Sequence, residues 1–364
     1  MRGKTHGCRS QLISFKLGLL SQTSCRTDPA LDDMSRFARF TFIGDTVPFL
    51  SCVPATVQVP GSVVPAASSD KIARIHITQL TPEAFYEEYR SLSKPVIIQG
   101  ALGCAINGPH SIDWSITAFA GTFGPDAVYQ CRVHGDRAFA MSPSRWKGRS
   151  HARRVVATTP AAFAASIASG VASHEDWYIQ ADIRSSRAGS TVAQALDLLG
   201  DTAGLEVDPQ YGPLVNMWWG AAGHTEPLHM DVMDGTLCQL RGRKRIVLFP
   251  ADCWRDLYPF PVTVEGMSWA FSQVIQSHPD FAAFPRLRRA MARRVQLVLD
   301  EGEVLFIPAC CAHEISGERM RSDGRPTDHV LSMNRFWRTN AESVRPHLPA
   351  DALHAYDARI PAAM

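Results

Sequence analysis

The second half of the chain constrains the fold most. From Leu214 onward, short apolar runs alternate with turns, in "LVNMWWG", "TLCQL", "KRIVLFP", "EVLFIP" and "HVLSMNRFW". Each run is strand-sized and is punctuated by Gly, Pro or Asp, which halt regular structure. Many such strands close together must bury their apolar faces against one another. That predicts a β-sandwich or barrel with helices packed outside.

The first half supplies the helices. In "LTPEAFYEEYRSL", Thr81 is an N-cap and Pro82 takes the first helical position. "TTPAAFAASIASG" is a second helix, halted by Gly170. Around them "KIARIHITQL", "KPVIIQG" (closed by Gly100) and "DWYIQADI" read as strands. Residues 71–345 therefore form the folded domain. Residues 346–364, "PADALHAYDARIPAAM" at their end, form a tail with one short helix.

Residues 1–70 differ from the rest. The segment "MRGKTHGCRSQLISFKLGLLSQTSCRT" holds five basic residues and no acid before Asp28. This is the composition of a mitochondrial transit peptide, and equally of a leader ahead of an alternative start at Met34. "VPATVQVPGSVVPAASSD" then reads as a Pro/Ser-rich linker.

Bulk composition sets limits on function. With 45% apolar and 20% charged residues the chain has a core to bury. An excess of 37 basic over 35 acidic residues gives a net +2, which does not by itself call for a polyanionic partner. No apolar run approaches the length of a membrane span, so no membrane partner is expected. Nine cysteines without a C-x-x-C pair read as reduced, buried thiols of an intracellular protein, cytoplasmic or nuclear. The sequence leaves room for a homodimer.

Several His-x-acid triplets compete as metal sites. On a strand, residues i and i+2 point the same way, so His229 and Asp231 in "LHMDVMD" can offer an imidazole and a carboxylate to one ion. His278-Pro279-Asp280 has a proline at its centre, which removes a ladder hydrogen bond. His134/Asp136 looks like a turn, and His174/Asp176 falls in a loop before "WYIQ". His224/Glu226 lies too close to His229 to be independent. Two histidines and one carboxylate with open positions suit Fe(II) that must bind oxygen and a co-substrate. His313, after the strand and Pro-bounded corner of "DEGEVLFIPACCAH", is the candidate third ligand.

Downstream of the pair, Gly242 reads as a hairpin turn into "KRIVLF". There Lys244 shares a face with Ile246 and Leu248, and Arg245 with Val247 and Phe249. The pattern does not say which face lies inward. If it is the first, Lys244 is an interior cation and demands an anion, which a dicarboxylate co-substrate would supply. Arg241 and Arg243 read as a solvated basic turn.

Together the "H-x-D" pair, the lysine fifteen residues after its histidine, and "DEGEVLFIP" followed by a histidine resemble the JmjC/cupin-like Fe(II), 2-oxoglutarate-dependent oxygenases. The likeness runs from about Arg74 to Arg338, through "LTPEAFYEEYRSLSKPVIIQG", "WYIQ", "LYPF", "HPDFAAFP" and "MNRFW". It implies a mainly β fold with flanking helices, a double-stranded β-helix of the jelly-roll type. By this resemblance His229, Asp231 and His313 are iron ligands and form the catalytic centre. Lys244 and Tyr178 hold the distal carboxylate of 2-oxoglutarate, and Asn334 lies near its chelating end. O2 is the second co-substrate.

Two departures stand out. Gly235 replaces an asparagine that relatives often carry, a donor for which Thr236 or a water is the expected substitute. Glu226 stands where some relatives have threonine, and a carboxylate there would repel 2-oxoglutarate if it faced the pocket.

Within the family "HMDVMDGTLCQLRGRKRIVLF" is most similar to the tRNA wybutosine-synthesising hydroxylases. This implies hydroxylation of a hypermodified tRNA base. The other implied activities are hydroxylation of a protein side chain, as in asparaginyl hydroxylases, and demethylation of histones or other proteins. A non-catalytic cupin-type binding protein is the contrasting class. The two arginine-rich segments Arg145–Arg154 and Arg286–Arg294 are the candidate phosphate contacts of a tRNA reader.

Overall fold

The strands from Asn216 onward divide between two sheets, alternating at every step but one, and that alternation builds the barrel. In the computed structural model, which describes residues 72–108, 111–124, 126–133, 154–209, 211–263 and 269–357, the strands in chain order are β1 (Arg74–His76), β2 (Val96–Gln99), β3 (Tyr129–Val133), β4 (Arg154–Thr158), β5 (Trp177–Asp182), β6 (Asn216–Ala221), β7 (Thr225–His229), β8 (Asp234–Arg241), β9 (Lys244–Phe249), β10 (Val295–Leu299), β11 (Val304–Ile307), β12 (Ala312–Gly317) and β13 (His329–Trp337). One sheet has the order β1-β2-β11-β8-β13-β6-β5-β3-β4 and the other β10-β9-β12-β7. Four strands of the first, β11-β8-β13-β6, face the four of the second. This is a double-stranded β-helix. The N-terminal tail and linker, His134/Asp136 and the side chains of Arg145–Arg154 lie outside the described residues.

The pairing corrects one expectation. Gly242 does not close a hairpin: β8 pairs with β11 and β13, whereas β9 pairs with β10 and β12. The turn instead carries the chain from one sheet to the other. It needs glycine, with φ +71° and the carbonyl oxygen of His329 only 3.1 Å from where a Cβ would stand. β1 is also shorter than "KIARIHITQL" suggested, breaking after His76 into a 3-10 turn.

Two apolar clusters follow from strand alternation. Leu237 from β8, Ile246 and Leu248 from β9, and Leu305 and Ile307 from β11 meet between the sheets. On the outer face of the large sheet, Trp219, Leu331, Met333 and Trp337 pack against the helices. Of these, Arg187–Ala203 is the longest among the described residues. Ser186 caps it by accepting from the Gly189 amide at 3.0 Å, and Gly204 ends it at φ +63°. It is absent from the sequence reading above, although its cap and terminal glycine were visible.

Thr81 caps its helix as expected, accepting from the Ala84 amide, and Thr159 caps the next by accepting from that of Ala162. The helix Ala350–Asp357 lies in the C-terminal segment. No helix among the described residues is long and apolar enough to cross a membrane. The described cysteines are all buried except Cys104.

Candidate functional site

β7 and β12 are neighbours, with His313 directly opposite His229. This pairing joins residues 84 positions apart in sequence and brings His313 beside the His229/Asp231 pair. Ligand atoms of His229, Asp231 and His313 lie within 4.8 Å of one another. His313 Nε2 is 3.7 Å from Asp231 Oδ2, and the two imidazole centroids are 4.3 Å apart.

Each imidazole is oriented by its own strand. His229 Nδ1 lies 2.7 Å from the Pro227 carbonyl oxygen, and His313 Nδ1 lies 2.9 Å from that of Cys311. A carbonyl can only accept, so each Nδ1 carries the proton and each Nε2 presents a lone pair. This is how ligating histidines are held. Phe271 stacks on His229 at 5.3 Å between centroids, while Met230 donates to Ala270 and Ser272 to Leu228, covering the β7 edge. Burial, then His229 beside it, pushes His313 down to about 3, so that ring is neutral. Burial raises the Asp231 carboxyl, a penalty that a cation would lift. Two histidines, one carboxylate and an open side fit Fe(II).

The corner carrying His313 is clipped to the segment carrying Asp231. Cys310, at φ +64°, donates its amide to the Asp231 carbonyl at 2.7 Å. Asp234, the second acid of "DVMD", accepts from the Ala309 amide at 2.9 Å and from Arg90 Nε at 2.9 Å. Asp234 therefore holds in place the loop that leads to His313.

Lys244 is 5% exposed, on the face that Ile246 and Leu248 turn into the barrel. Its Nζ donates to Ser332 Oγ on β13, and among the described residues no carboxylate comes within ion-pairing distance of it. Burial pushes its ammonium down to about 7, against the pull of Glu226.

Tyr178 is buried. Its ring stacks on His224 with centroids 3.7 Å apart and planes 18° from parallel. A Cβ at Gly220 would meet Tyr178 Cδ2 at 2.6 Å, so glycine is required for the ring to lie there. Burial, then Glu226, raises the phenol well above its ordinary range and keeps it a donor. Asn334 is buried on β13 and accepts a 2.8 Å hydrogen bond from Trp218 Nε1. Trp218 borders the inter-sheet cluster, whereas Trp219 belongs wholly to the outer core.

Sequence reasoning missed four members of this interior. Arg132 on β3 donates to Glu226 Oε2 at 3.0 Å and, more weakly, to Oε1 at 3.5 Å. His224 sits between acids, with Nδ1 2.9 Å from Asp176 Oδ1 and Nε2 3.5 Å from Glu226 Oε2. Ser332, the partner of Lys244, is the fourth. His224/Glu226 and Asp176, set aside as metal candidates, form this charge network instead. No local pattern joins Arg132 and Asp176 to the others, since their partners lie 94 and 48 residues away in sequence. Thr236 does not compensate for Gly235. It turns to the outer face, accepting from Trp337 Nε1 at 3.0 Å.

The remaining candidates are surface features. Asp280 caps a turn by accepting from the Ala282 and Ala283 amides. In the second arginine-rich segment, Arg289 pairs with Asp256 and Arg293 with Asp252, each at 2.8 Å, while Arg288 covers Phe281. In "RGRKR", Arg243 pairs with Asp300 at 2.7 Å and Arg245 with Glu318 at 2.9 Å.

A double-stranded β-helix with a His-Asp-His cluster at its mouth defines a protein of the cupin class. Consistent with this, the model of the cupin-like domain family matches residues 82–343, more than half of the chain. The chain belongs to that family. It is 34% identical over 130 residues to tRNA wybutosine-synthesizing protein 5 of Gallus gallus, covering 35% of this chain and 32% of that protein. It is 26% identical over 132 residues to lysine-specific demethylase JMJ31 of Arabidopsis thaliana, covering 36% and 22%. With HSPB1-associated protein 1 of Bos taurus it shares 39% over 93 residues, covering 25% and 19%. The chain spans about a third or less of the length of these relatives.

Proposed function

We propose that the protein is an Fe(II)- and 2-oxoglutarate-dependent oxygenase that hydroxylates a macromolecular substrate. The observation that carries this reading is Lys244: a buried cation with no carboxylate partner among the described residues, inside the same barrel whose mouth gathers His229, Asp231 and His313. A buried charge left unpaired is costly, so the pocket calls for an anion.

In this reading His229, Asp231 and His313 hold the metal through two Nε2 atoms and a carboxylate. Lys244 takes the distal carboxylate of 2-oxoglutarate, with Tyr178 supplying a neutral O–H donor. Asn334, fixed by Trp218, stands toward the chelating end. When bound, Fe(II) with O2 and 2-oxoglutarate supplies oxidative decarboxylation to succinate and CO2, coupled to hydroxylation of a substrate C–H. The chain's own part is to fix the geometry and exclude water, through Trp218, Phe271 and the apolar lining.

For the substrate, the pairing of the arginines shifts the balance. Phosphate binding releases counterions from unengaged cations, whereas Arg243, Arg245, Arg289 and Arg293 already have acidic partners. A polypeptide side chain is therefore the favoured substrate. The second reading, a modified tRNA base, draws on the "DVMD" run and the likeness to the wybutosine-synthesizing protein.

Succinate release from 2-oxoglutarate by the iron-loaded protein, with a peptide mixture and with tRNA at two salt concentrations, tests both levels. Turnover stimulated by peptides is expected. Stimulation by tRNA alone, with binding that weakens steeply in salt, would transfer the assignment to the base. No turnover under any condition would remove the oxygenase reading.

A further inference from the structure

Glu226 creates a conflict inside the barrel. It is 7% exposed, three residues before His229, and its charge reaches both Lys244 and Tyr178. Unrestrained, this carboxylate, whose charge already acts on Lys244, would neutralise it and so compete with an incoming acid for the same ammonium. It does not do so here. Arg132, from a strand more than ninety residues upstream, holds it with two donors at 3.0 and 3.5 Å. His224, itself braced by Asp176 at 2.9 Å, flanks its Oε2 at 3.5 Å. The Arg132 side chain also lies over the Tyr178 ring, 5.1 Å from its centroid, so it is fixed by stacking as well as by charge.

Arg132 pairs with Glu226 and His224 lies against Asp176, whereas Lys244 has no acid within ion-pairing distance among the described residues. Although burial alone would lower the His224 ring, Asp176 and Glu226 outweigh it and raise it. Burial would likewise raise the Glu226 carboxyl, yet Arg132 and His224 hold it well below the usual carboxylate range.

Resting on the oxygenase reading, we propose that Arg132 is a positioning residue that sequesters the Glu226 carboxylate, keeping Lys244 available for the co-substrate's distal carboxylate. Arg132 touches neither metal nor co-substrate in this account. It acts through Glu226, and that dependence gives it a signature no merely structural arginine would have. Its loss should be harmful only while Glu226 is charged.

The test is a double-mutant cycle read by calorimetric binding of 2-oxoglutarate to the Mn(II)-loaded full chain, with circular dichroism to verify folding. Arg132→Met should weaken binding by about tenfold or more, because the released carboxylate turns to Lys244. Glu226→Gln alone should bind as tightly as the parent or tighter. The double variant should return to within about threefold of the parent, the scatter expected where coupling has been removed. Equal weakness of Arg132→Met and the double variant would overturn the proposal, as would parental binding by Arg132→Met. If Arg132→Met does not fold, Arg132→Lys carries the same comparison. A smaller weakening that Glu226→Gln removes supports the proposal, and one that persists overturns it. Absence of 2-oxoglutarate binding by the parent protein would instead fault the underlying oxygenase reading.

Discussion

The two ends of the barrel interior are built on different principles. At the mouth, His229, Asp231 and His313 converge through one strand pairing, and each imidazole is set by a backbone carbonyl two residues before it. Deeper inside, Lys244, Ser332, Tyr178, Arg132, Glu226, His224 and Asp176 come from five strands and two loops, and are held mainly by one another. The mouth is locally encoded, so changes there should act singly. The charged interior is a network, so its changes should be coupled.

The largest expected effect belongs to the mouth. His313→Ala should abolish Fe(II) retention and turnover together, while the fold survives because β12 keeps its pairings to β7 and β9. Metal content by atomic absorption beside a thermal melt measures both. Retained stoichiometric iron would break the assignment of His313.

Asp234→Ala comes next. It removes the acceptor for the Ala309 amide and the partner of Arg90, leaving a buried N–H unsatisfied. A loss of about 2–3 kcal/mol in denaturant unfolding is expected, with weaker metal retention because the loop bearing His313 is freed. A stability loss with unchanged iron affinity would show that Asp234 supports the fold alone.

Gly220→Ala probes the network end. Its methyl would stand 2.6 Å from Tyr178 Cδ2, and the ring would have to leave His224. A cost of about 2 kcal/mol is expected from overpacking, with 2-oxoglutarate binding weakened and metal binding kept. Equal damage to both would erase the contrast between the two ends.

Titration gives an effect spread over several pH units. Burial lowers Lys244 to about 7, below its unfolded value of about 10.4. Between these values the unfolded chain binds the extra proton, so stability of the ligand-free protein should rise with pH there, by at most about 1.4 kcal/mol per unit from this group. Lys244→Met should remove that part of the slope between pH 7 and 10. An unchanged slope would place Lys244 in a solvated setting.

The same contrast explains what the sequence disclosed. His229 and Asp231 were legible because period-two alternation aims both side chains one way, and Gly and Pro punctuation exposed the strands around them. His313 needed its block's order along the chain, since only sheet topology makes β12 the neighbour of β7. Gly242 misled because alternation says nothing of which sheet the next strand joins. The inward face of β9 also waited for packing, which turns Ile246 and Leu248 inside and Lys244 with them. Arg132, His224 and Asp176 were illegible as a group: their partners are 48 to 94 residues away in sequence, and no local pattern marks such pairs.

The central claim is that one acid spans both ends, chelating at the mouth and pairing with Lys244 inside. Binding of 2-oxoglutarate and of 2-oxopentanoate, which lacks the distal carboxylate, to the Mn(II)-loaded protein tests it directly. The parent should prefer 2-oxoglutarate by about 2–5 kcal/mol, the worth of a buried charge pair. Lys244→Ala should lose that preference while still binding the metal. If Lys244→Ala discriminates between the two acids as well as the parent does, Lys244 is not the anion-binding group and the account of the pocket is wrong.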